Sequence, residues 1–340
     1  MHAALVGVPY SGKTTMFAAL SGIEPGAKEE LVGVIKVPDA RVDCLRSVFN
    51  PARTKYAEFV LHDFGAGGGR NETIPARVKN LIERMEMLVF VVRDFESAFS
   101  GDPRDPAAEY ARLREEIILA DFMTVEKRLE REAKERRNPP EIPVLKKIRA
   151  RLEANEIPAV EELTGQELGQ VSSYNLLTLK KRVAIVNKPE GETGIPPALS
   201  EMLAREKVPG FDVSGSLERE LNDIAPAERR AFLESYGLRG TARDRLLAAA
   251  YETSGLISFL TVGPDEVRAW PIRSGMTAVE AAGKIHKDIA RGFIRAETVP
   301  FDVFKKHGSE EACKEANAYR LVGKDYVVRD GDIMEFRFNV

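Results

Sequence analysis

The sequence predicts an α/β fold built on a doubly wound, mostly parallel sheet. Apolar runs, typical of strands that are buried on both faces, alternate with helical segments over residues 1–105 and 182–255. The first apolar run also breaks into a glycine-bounded loop that leads directly into a helix. Because parallel strands need crossover connections, this alternation indicates right-handed βαβ units.

The loop after the first strand has the spacing of a phosphate-binding loop: Gly7, four residues, then Gly12, Lys13 and Thr14. The glycines allow backbone N–H groups to point at phosphate oxygens, and the following helix directs its positive dipole end at the same anion. Lys13 is expected to reach the β- and γ-phosphates, and the Thr14 hydroxyl to ligate Mg²⁺. The predicted nucleotide-binding residues of this segment are Pro9, Tyr10, Ser11, Gly12, Lys13, Thr14 and Thr15. The alternative is a chance glycine-rich turn.

Two segments occupy the positions of the switches of a nucleotide-dependent protein. Residues 21–30 form the loop before a strand at 31–37, and Ser21 is the only hydroxyl there, so the first switch is incomplete. Residues 56–63 read as the next strand, and Asp63 stands at its carboxyl end, where an aspartate on the magnesium side belongs. The alternative is an ordinary aspartate in a strand-end turn. A glycine-rich loop follows at 65–70.

A helix at 74–84 and a buried strand at 87–93 lead into two long amphipathic helices. The first helix runs from Pro106 to the break near residues 138–140, and the second is expected to start after Pro143. The pair predicts an inserted helical hairpin over 106–181. Its tip is rich in Arg and Lys, including Arg128, Arg131, Lys134, Arg136, Arg137, Lys146, Lys147, Arg149 and Arg151. The tip is either a contact surface for a phosphate backbone or a solvated charged face.

The sheet resumes with a strand that ends in Asn187, Lys188 and, two residues later, Glu190. GTP-binding folds keep Asn-Lys-x-Asp at this place, where the Asp pairs with guanine. Because Glu is one methylene longer, guanine pairing is altered here. A further strand at 210–213 ends in Ser214 and Gly215, where a backbone loop beside the base is expected. The alternative for Asn187 to Glu190 is a polar strand-end turn.

Composition excludes several classes of protein. The chain has 340 residues, enough for two or three domains, with 44% hydrophobic and 30% charged residues and a net charge of −3. No global basic field indicates nucleic acid, so an RNA contact needs a local patch. Two distant cysteines form neither a disulfide framework nor a metal motif and suit a reducing cytoplasm, and no apolar run has membrane-spanning length.

These residues together give a family resemblance that spans nearly the whole chain. The sequence resembles the YchF/Obg-like ATPases, P-loop proteins of the translation-factor class. Matches within the nucleotide domain and hairpin are at 118–121, 126–128, Asn187 with Glu190, 232–233 and 237–238. The strongest matches are at 261–270, 292–297, 323–328 and the end of the chain.

The resemblance implies a P-loop NTPase with three parts. These are a nucleotide-binding domain (1–105 and 182–255), an inserted α-helical hairpin (106–181) and a C-terminal TGS domain of β-grasp type (256–340). It also implies ATP hydrolysis, often better than GTP hydrolysis, and association with ribosomes. The sheet face of the C-terminal domain is the implied contact surface, and His286, Arg295 and Arg337 are candidates for it. The alternative for these three is a structural or surface role.

The sequence departs from the family pattern at several positions of the site. Tyr10 and Ser11 replace the usual Asn-Val pair, and Ala27 stands where the family has the first-switch threonine. In the second switch Ala66 takes the place of the family glycine, whereas Lys188 moves the base motif toward the GTP pattern. Missing switch groups indicate slow hydrolysis.

The function expected from the sequence is therefore that of a slow, cytoplasmic ATPase or GTPase that acts as a ribosome- or RNA-associated switch. Lys13 is the expected catalytic residue, and Thr14 and Asp63 are the expected ligands of the Mg²⁺ that accompanies ATP or GTP. The hairpin and the C-terminal domain are the expected contacts with the ribosome or RNA, and no membrane partner is expected. The alternative is a nucleotide-gated binding module that does not hydrolyse its ligand.

Overall fold

The structure is a computed structural model. It describes residues 1–26, 30–65, 74, 76–99, 101–135, 139–238 and 240–339, without the side chains of residues 76, 77, 226, 227 and 230. Four residues named in the sequence analysis, Ala27, Ala66, Arg136 and Arg137, lie outside the described residues, as does most of the glycine-rich loop at 65–70.

The described elements alternate between strand and helix for most of the chain. The strands are β1 (His2–Val6), β2 (Glu30–Lys36), β3 (Arg53–Lys55), β4 (Glu58–Phe64), β5 (Met87–Arg93), β6 (Lys181–Asn187), β7 (Gly210–Val213), β8 (Leu256–Thr261), β9 (Glu266–Arg273), β10 (Phe293–Pro300), β11 (Arg320–Val322) and β12 (Asp332–Phe338). The helices are α1 (Lys13–Ser21), α2 (Ala40–Phe49), α3 (Ala76–Ile82), α4 (Pro106–Glu135), α5 (Glu141–Glu153), α6 (Gly165–Val171), α7 (Pro197–Arg205), α8 (Gly215–Glu220), α9 (Pro226–Ser235), α10 (Ala242–Ser254), α11 (Ala278–Ile285), α12 (Lys287–Arg291), α13 (Phe301–His307) and α14 (Glu310–Glu315). Short 3₁₀ helices cover Val160–Glu162 and Ser172–Tyr174.

The chain divides into two units, of which the first comprises Met1–Ile35 and Val60–Ala249. Its sheet has the strand order β2-β4-β1-β5-β6-β7, and the pairs from β4 to β7 are parallel. Every residue of β5 is buried, as a central strand covered on both faces requires. The predicted α/β fold with a mostly parallel, doubly wound sheet is thus confirmed.

Strand order fixes where a ligand can approach this sheet. After β1 the chain first builds the side with β2 and β4 and then crosses to β5 on the other side of β1. Loops that leave β1 and β5 at their carboxyl ends therefore diverge and open a crevice. The glycine-bounded loop at 7–12 leaves β1 at this place.

The predicted helical hairpin is present, but its first helix begins inside the core of the sheet. Tyr110, Leu113 and Ile117 of α4 are fully buried and belong to the cluster that covers Leu88 and Phe90 of β5. The second half of α4 packs instead with α5, in a cluster that includes Val125, Leu145 and Ile148. Residue 106 is therefore not a packing boundary, because one helix serves both cores.

The second helix of the hairpin begins earlier than the sequence indicated. It starts at Glu141, so Pro143 lies within its first turn and does not precede it. A proline is tolerated there because the first N–H groups of a helix have no partner within the helix.

The second unit comprises Lys36–Phe59 and Ala250–Val340. Its mixed sheet has the order β11-β10-β12-β8-β9-β3, and α11 packs on it with buried Ala278, Ala281 and Ala282. The unit that contains the C-terminal domain expected at 256–340 therefore also includes Lys36–Phe59. β3 pairs with β9, and Val42 and Leu45 of α2 pack against Leu260 and Val267.

Within the described ranges, no helix is both long enough and apolar enough to cross a bilayer.

Candidate nucleotide-binding site

The loop between β1 and α1 curls tightly at positions that only glycine can occupy. A Cβ on Gly7 would lie 2.6 Å from the carbonyl oxygen of Val91 and 2.5 Å from Ser11 Oγ. Gly12 has a φ of 88°, and a Cβ there would lie 2.3 Å from Asn187 Nδ2. Tyr10, at the loop apex, also adopts a positive φ of 65°. The loop thus has the compact curl that the glycine spacing predicted.

Lys13, the first residue of α1, extends back across this loop. Its ammonium donates hydrogen bonds to the carbonyl oxygens of Gly7, at 2.7 Å, and Val8, at 3.0 Å. Burial lowers the pKa of Lys13, while the negative charges of Asp63 and Glu109 oppose that shift. Among the described residues the ammonium has no direct carboxylate partner, which suits a group that is to meet an anion.

Thr14 and Asp63, predicted to act together, do meet in the structure. Thr14 Oγ1 donates to Asp63 Oδ2 at 2.9 Å, although 49 residues separate the two in sequence. Asp63 is fully buried, and within the described part of the chain its Oδ1 accepts no hydrogen bond. Burial raises the pKa of Asp63, whereas the Thr14 hydrogen bond and the Lys13 charge oppose the rise.

Asn187 connects the phosphate-loop segment to the start of α8. Its Nδ2 donates to the carbonyl oxygen of Ser11 at 3.1 Å, and its Oδ1 accepts from the N–H of Gly215, also at 3.1 Å. The structure thus brings together three residues predicted from separate motifs. Ser214 precedes this contact and shares a hydrogen bond with Ser216 Oγ at 3.1 Å. The side-chain amide of Asn187 therefore holds the phosphate-loop segment and the start of α8 together.

Lys188 and Glu190 point to different partners. Lys188 is buried, its ammonium forms an ion pair with Asp94 Oδ2 at 3.1 Å, and it donates to the carbonyl oxygen of Gly194 at 2.8 Å. Glu190 is exposed, and its Oε1 accepts from the hydroxyl of Tyr236 at 2.9 Å. The two residues of this motif therefore have different environments: Lys188 is buried in an ion pair, whereas Glu190 is exposed and bonded to a tyrosine.

The remaining predicted residues, Pro9 and Thr15, lie in the same segment as Lys13. Pro9 is half-buried just before Tyr10, and Thr15 is half-buried in the first turn of α1. Their positions follow from the loop and helix that surround them.

Several residues near the site were missed from the sequence. Asp94 follows β5 directly, and Arg93 stands opposite Asn187 in the parallel β5–β6 pair, so Asp94 faces Lys188. Arg104 binds Asp94 at 2.7 Å and also Glu192. Although burial raises the pKa of Asp94, hydrogen bonds from Arg104 and Lys188 hold it below its ordinary value. The signal available in the sequence was an acidic residue, Asp94, directly after one buried strand and a lysine, Lys188, directly after another.

Across the described ranges there is no group of three or more His, Cys, Asp or Glu side chains that could hold a metal ion. The pair Thr14 and Asp63 has a different composition, one hydroxyl and one carboxylate.

Comparisons with known proteins give one consistent result. A family model named YchF-GTPase_C, described as a protein of unknown function (DUF933), matches residues 256–339. The chain is 33% identical over 370 residues to the ribosome-binding ATPase YchF of Bacillus subtilis, with 100% of both chains covered. It is 34% identical over 358 residues to the protein of the same name from Escherichia coli O157:H7, with 99% of this chain and 98% of the relative covered.

A solved structure agrees with these sequence relatives. The structure of the Schizosaccharomyces pombe YchF GTPase superposes with a TM-score of 0.81 at 25% identity, covering 99% of this chain and 97% of the other. The resemblance stated from the sequence motifs, including the P-loop NTPase fold, is confirmed. From full-length similarity in sequence and in fold, we conclude that this chain belongs to the YchF family.

Proposed function

We propose that this chain is a slow, Mg²⁺-dependent ATPase of the cytoplasm that associates with ribosomes. The observation that carries the proposal is the geometry of the phosphate loop. Lys13 is held across a loop closed by Gly7 and Gly12, and α1 begins at that point without a side-chain hydrogen bond from its N-cap residue, Gly12. A curled loop, a helix N-terminus and an ammonium group together favour a nucleotide triphosphate.

The roles of the individual side chains follow from their charges and contacts. Lys13 binds the β- and γ-phosphates in place of the carbonyl oxygens of Gly7 and Val8 and stabilises the charge on the transferred phosphoryl group. The N–H groups of residues 9–15 bind and orient the phosphates. Asn187 holds the phosphate loop next to the start of α8.

Two oxygens fit a Mg²⁺ ion that arrives with the nucleotide. Thr14 Oγ1 and the carboxylate of Asp63 are hard ligands of the kind Mg²⁺ prefers, and the buried Oδ1 of Asp63 still has its acceptor capacity. When bound, the ion neutralises charge on the phosphates. Thr14 would supply a direct ligand, and Asp63 would hold the metal through water.

Base recognition falls to the loops after β6 and β7. Glu190 is exposed and accepts a hydrogen bond from Tyr236, whereas Lys188 and the backbone of Ser214 and Gly215 lie at the same edge of the sheet. Since Glu places its carboxylate about one bond further out than Asp would, paired recognition of guanine is weakened. We therefore propose that ATP binds at least as well as GTP.

Ribosome association is proposed from the names of the relatives, which are ribosome-binding ATPases. Most arginines at the hairpin tip are ion-paired: Arg128 with Glu132 and Glu141, and Arg151 with Glu156 and Glu162. That pairing gives the hairpin less free positive charge than its composition indicated. The sheet face of the C-terminal unit is the second proposed contact. There Arg337 pairs with Glu335, and His286 caps α12.

The test of the nucleotide site is titration calorimetry with ATP and GTP, with and without Mg²⁺, on Lys13→Ala. The variant is expected to lose tight binding while it stays folded, because loss of a charged phosphate contact costs about 1.5–3 kcal/mol or more. Lys146→Ala, an exposed change on α5, is the matched control. Unchanged ATP binding by Lys13→Ala would show that the loop assignment is wrong.

Single-turnover hydrolysis separates the proposal from the non-hydrolysing module. Ala27 and Ala66 replace family residues in the switches, and missing donors typically cost factors of about 10²–10³ in rate. Turnover well below the enzyme median of about 10 s⁻¹ is therefore expected. Co-sedimentation with ribosomes in the presence of each nucleotide tests the partner.

A further inference from the structure

Glu190, the acidic residue of the base motif at 187–190, is hydrogen-bonded to another side chain in the structure. The hydroxyl of Tyr236 donates to its Oε1 at 2.9 Å. Tyr236 directly follows α9, 46 residues along the chain, in a segment for which the nucleotide motifs give no role. The contact joins the base-motif loop to the end of that helix.

The tyrosine ring is itself held in place. Its centroid lies 4.9 Å from that of Phe232, one helical turn earlier, with an angle of 32° between the ring planes. The backbone N–H of Tyr236 also closes the end of α9 by bonding to the carbonyl oxygen of Leu233 at 3.2 Å. Tyr236 is 42% exposed and Glu190 is exposed as well, so the carboxylate is accessible to a ligand.

The orientation of the carboxylate decides which base can pair. Guanine presents two adjacent donors, a ring N–H and an amine, which need both oxygens of one carboxylate side by side. Adenine presents a single amine donor on that edge, beside a ring acceptor. The phenol of Tyr236 occupies one acceptor site of the Glu190 carboxylate and fixes the orientation of the group. A carboxylate that cannot turn to meet two adjacent donors satisfies adenine more readily than guanine.

We propose that Tyr236 is a positioning residue that fixes the orientation of the Glu190 carboxylate and thereby sets the preference for adenine over guanine nucleotides. The inference rests on the proposed nucleotide site and adds a specificity determinant to it. Tyr236 acts through Glu190 and needs no contact with the base. Its hydroxyl, more than the length of the glutamate side chain, limits guanine binding.

The test is Tyr236→Phe, which removes the hydroxyl and keeps the ring that stacks on Phe232. Dissociation constants are measured by calorimetry for ATP, GTP and inosine triphosphate, which has the guanine ring N–H without the amine. The variant should bind GTP about tenfold more tightly relative to ATP, since a second hydrogen bond to a charged acceptor becomes possible. It should also gain a preference for GTP over inosine triphosphate that the parent lacks.

Two controls make the assignment specific. Ser235→Ala removes the neighbouring hydroxyl, which donates to the carbonyl oxygen of Phe232 at 2.7 Å, and should leave all three affinities within about twofold. In a Glu190→Gln background, Tyr236→Phe should no longer change the ratio of GTP to ATP affinity.

Two results would overturn the inference alone: a ratio that moves by less than about twofold in Tyr236→Phe, or one that moves equally in the Glu190→Gln background. In both cases binding would still depend on Lys13, so the proposed function would stand. Loss of Lys13-dependent binding for all three nucleotides would instead overturn the proposed function and the inference with it.

Discussion

Asn187 is a single side chain whose two amide atoms hold two loops of the site. One hydrogen bond reaches Ser11 in the phosphate loop and the other reaches Gly215 at the start of α8. The side chain is nearly fully buried, so water cannot replace either partner without a rearrangement. The affinity of the site for phosphate therefore depends on a residue that need not touch the ligand.

We expect Asn187→Ala to weaken ATP binding and to lower the free energy of unfolding by about 1–3 kcal/mol, because two buried backbone groups lose their partners. Calorimetry and urea denaturation measure the two effects. Gln166→Ala, which removes an exposed amide on α6, is the control. If ATP binding and stability both stay at parental values, Asn187 is not what holds the loops together.

Sequence patterns predicted those members of the site that lie at strand ends. Parallel strands place their carboxyl ends at one edge, so Lys13, Thr14, Asp63 and Asn187 had to converge there. The partners of Asn187 could not be predicted, since they are backbone atoms. Tyr236 was missed because contact between a helix end and a loop 46 residues away depends on tertiary packing and leaves no local pattern.

Among the helices, α8 and α10 are joined by a buried carboxyl group. Glu218 of α8 accepts a hydrogen bond at 2.8 Å from the N–H of Ala242, the first residue of α10. Burial raises the pKa of Glu218 to about 7, while the Ala242 hydrogen bond and the charges of Arg245 and Arg243 oppose the rise. The Glu218 carboxyl group of α8 thus caps the N-terminus of α10, and it is partly protonated near neutral pH.

This raised pKa fixes the sign of a pH dependence. Between the ordinary value of 4.5 and about 7, the folded protein keeps a proton on Glu218 that the unfolded chain has lost. Stability contributed by this group therefore falls as pH rises through that window and is constant above it. Glu218→Gln, which cannot ionise, should gain about 2–3 kcal/mol relative to the parent between about pH 5 and pH 8.

Urea denaturation across this pH range measures the difference. Glu220→Gln, an exposed change on the same helix, should follow the parent curve. Parallel curves for the parent and Glu218→Gln would mean that Glu218 ionises normally in the folded protein.

The hairpin shows what periodicity predicts about an element and what it omits. Apolar residues at helical spacing predicted α4 and its extent, and Tyr110, Leu113 and Ile117 are indeed buried. The same spacing cannot say which core each turn enters, because that depends on the neighbouring elements. Likewise, the arginines of the tip read as free charges in the sequence, and only the structure shows their acidic partners.

At the level of the molecule, the chain leaves the first unit and later returns to it. Residues 36–59 belong with the C-terminal residues, although residues on both sides of them belong to the nucleotide-binding unit. From the sequence, this segment was placed with its neighbours in the chain, since a strand as short as β3 gives almost no signal. The two units therefore cannot be separated by a single cut.

Deletion of residues 256–340 should accordingly unfold a segment near the other end of the chain. Without β9, β3 has no partner, and Val42 and Leu45 lose the cover of Leu260 and Val267. We expect limited trypsin digestion to cleave the shortened chain within 36–59 at least about tenfold faster than the full chain. Cleavage within Val60–Ala249 is the internal control, and equal protection of 36–59 in both chains would refute the expectation.

The pairing of β3 with β9 also determines when the C-terminal unit can fold during synthesis. During synthesis Arg53–Lys55 is made early, yet its partner Glu266–Arg268 follows only after about two hundred further residues. Until then, α2 and β3 have no sheet to join, while β1 and β4 can already begin the parallel sheet of the first unit. The C-terminal unit can therefore fold only after β12 has been made, and until then the apolar face of α2, with Val42 and Leu45, stays uncovered in the nascent chain.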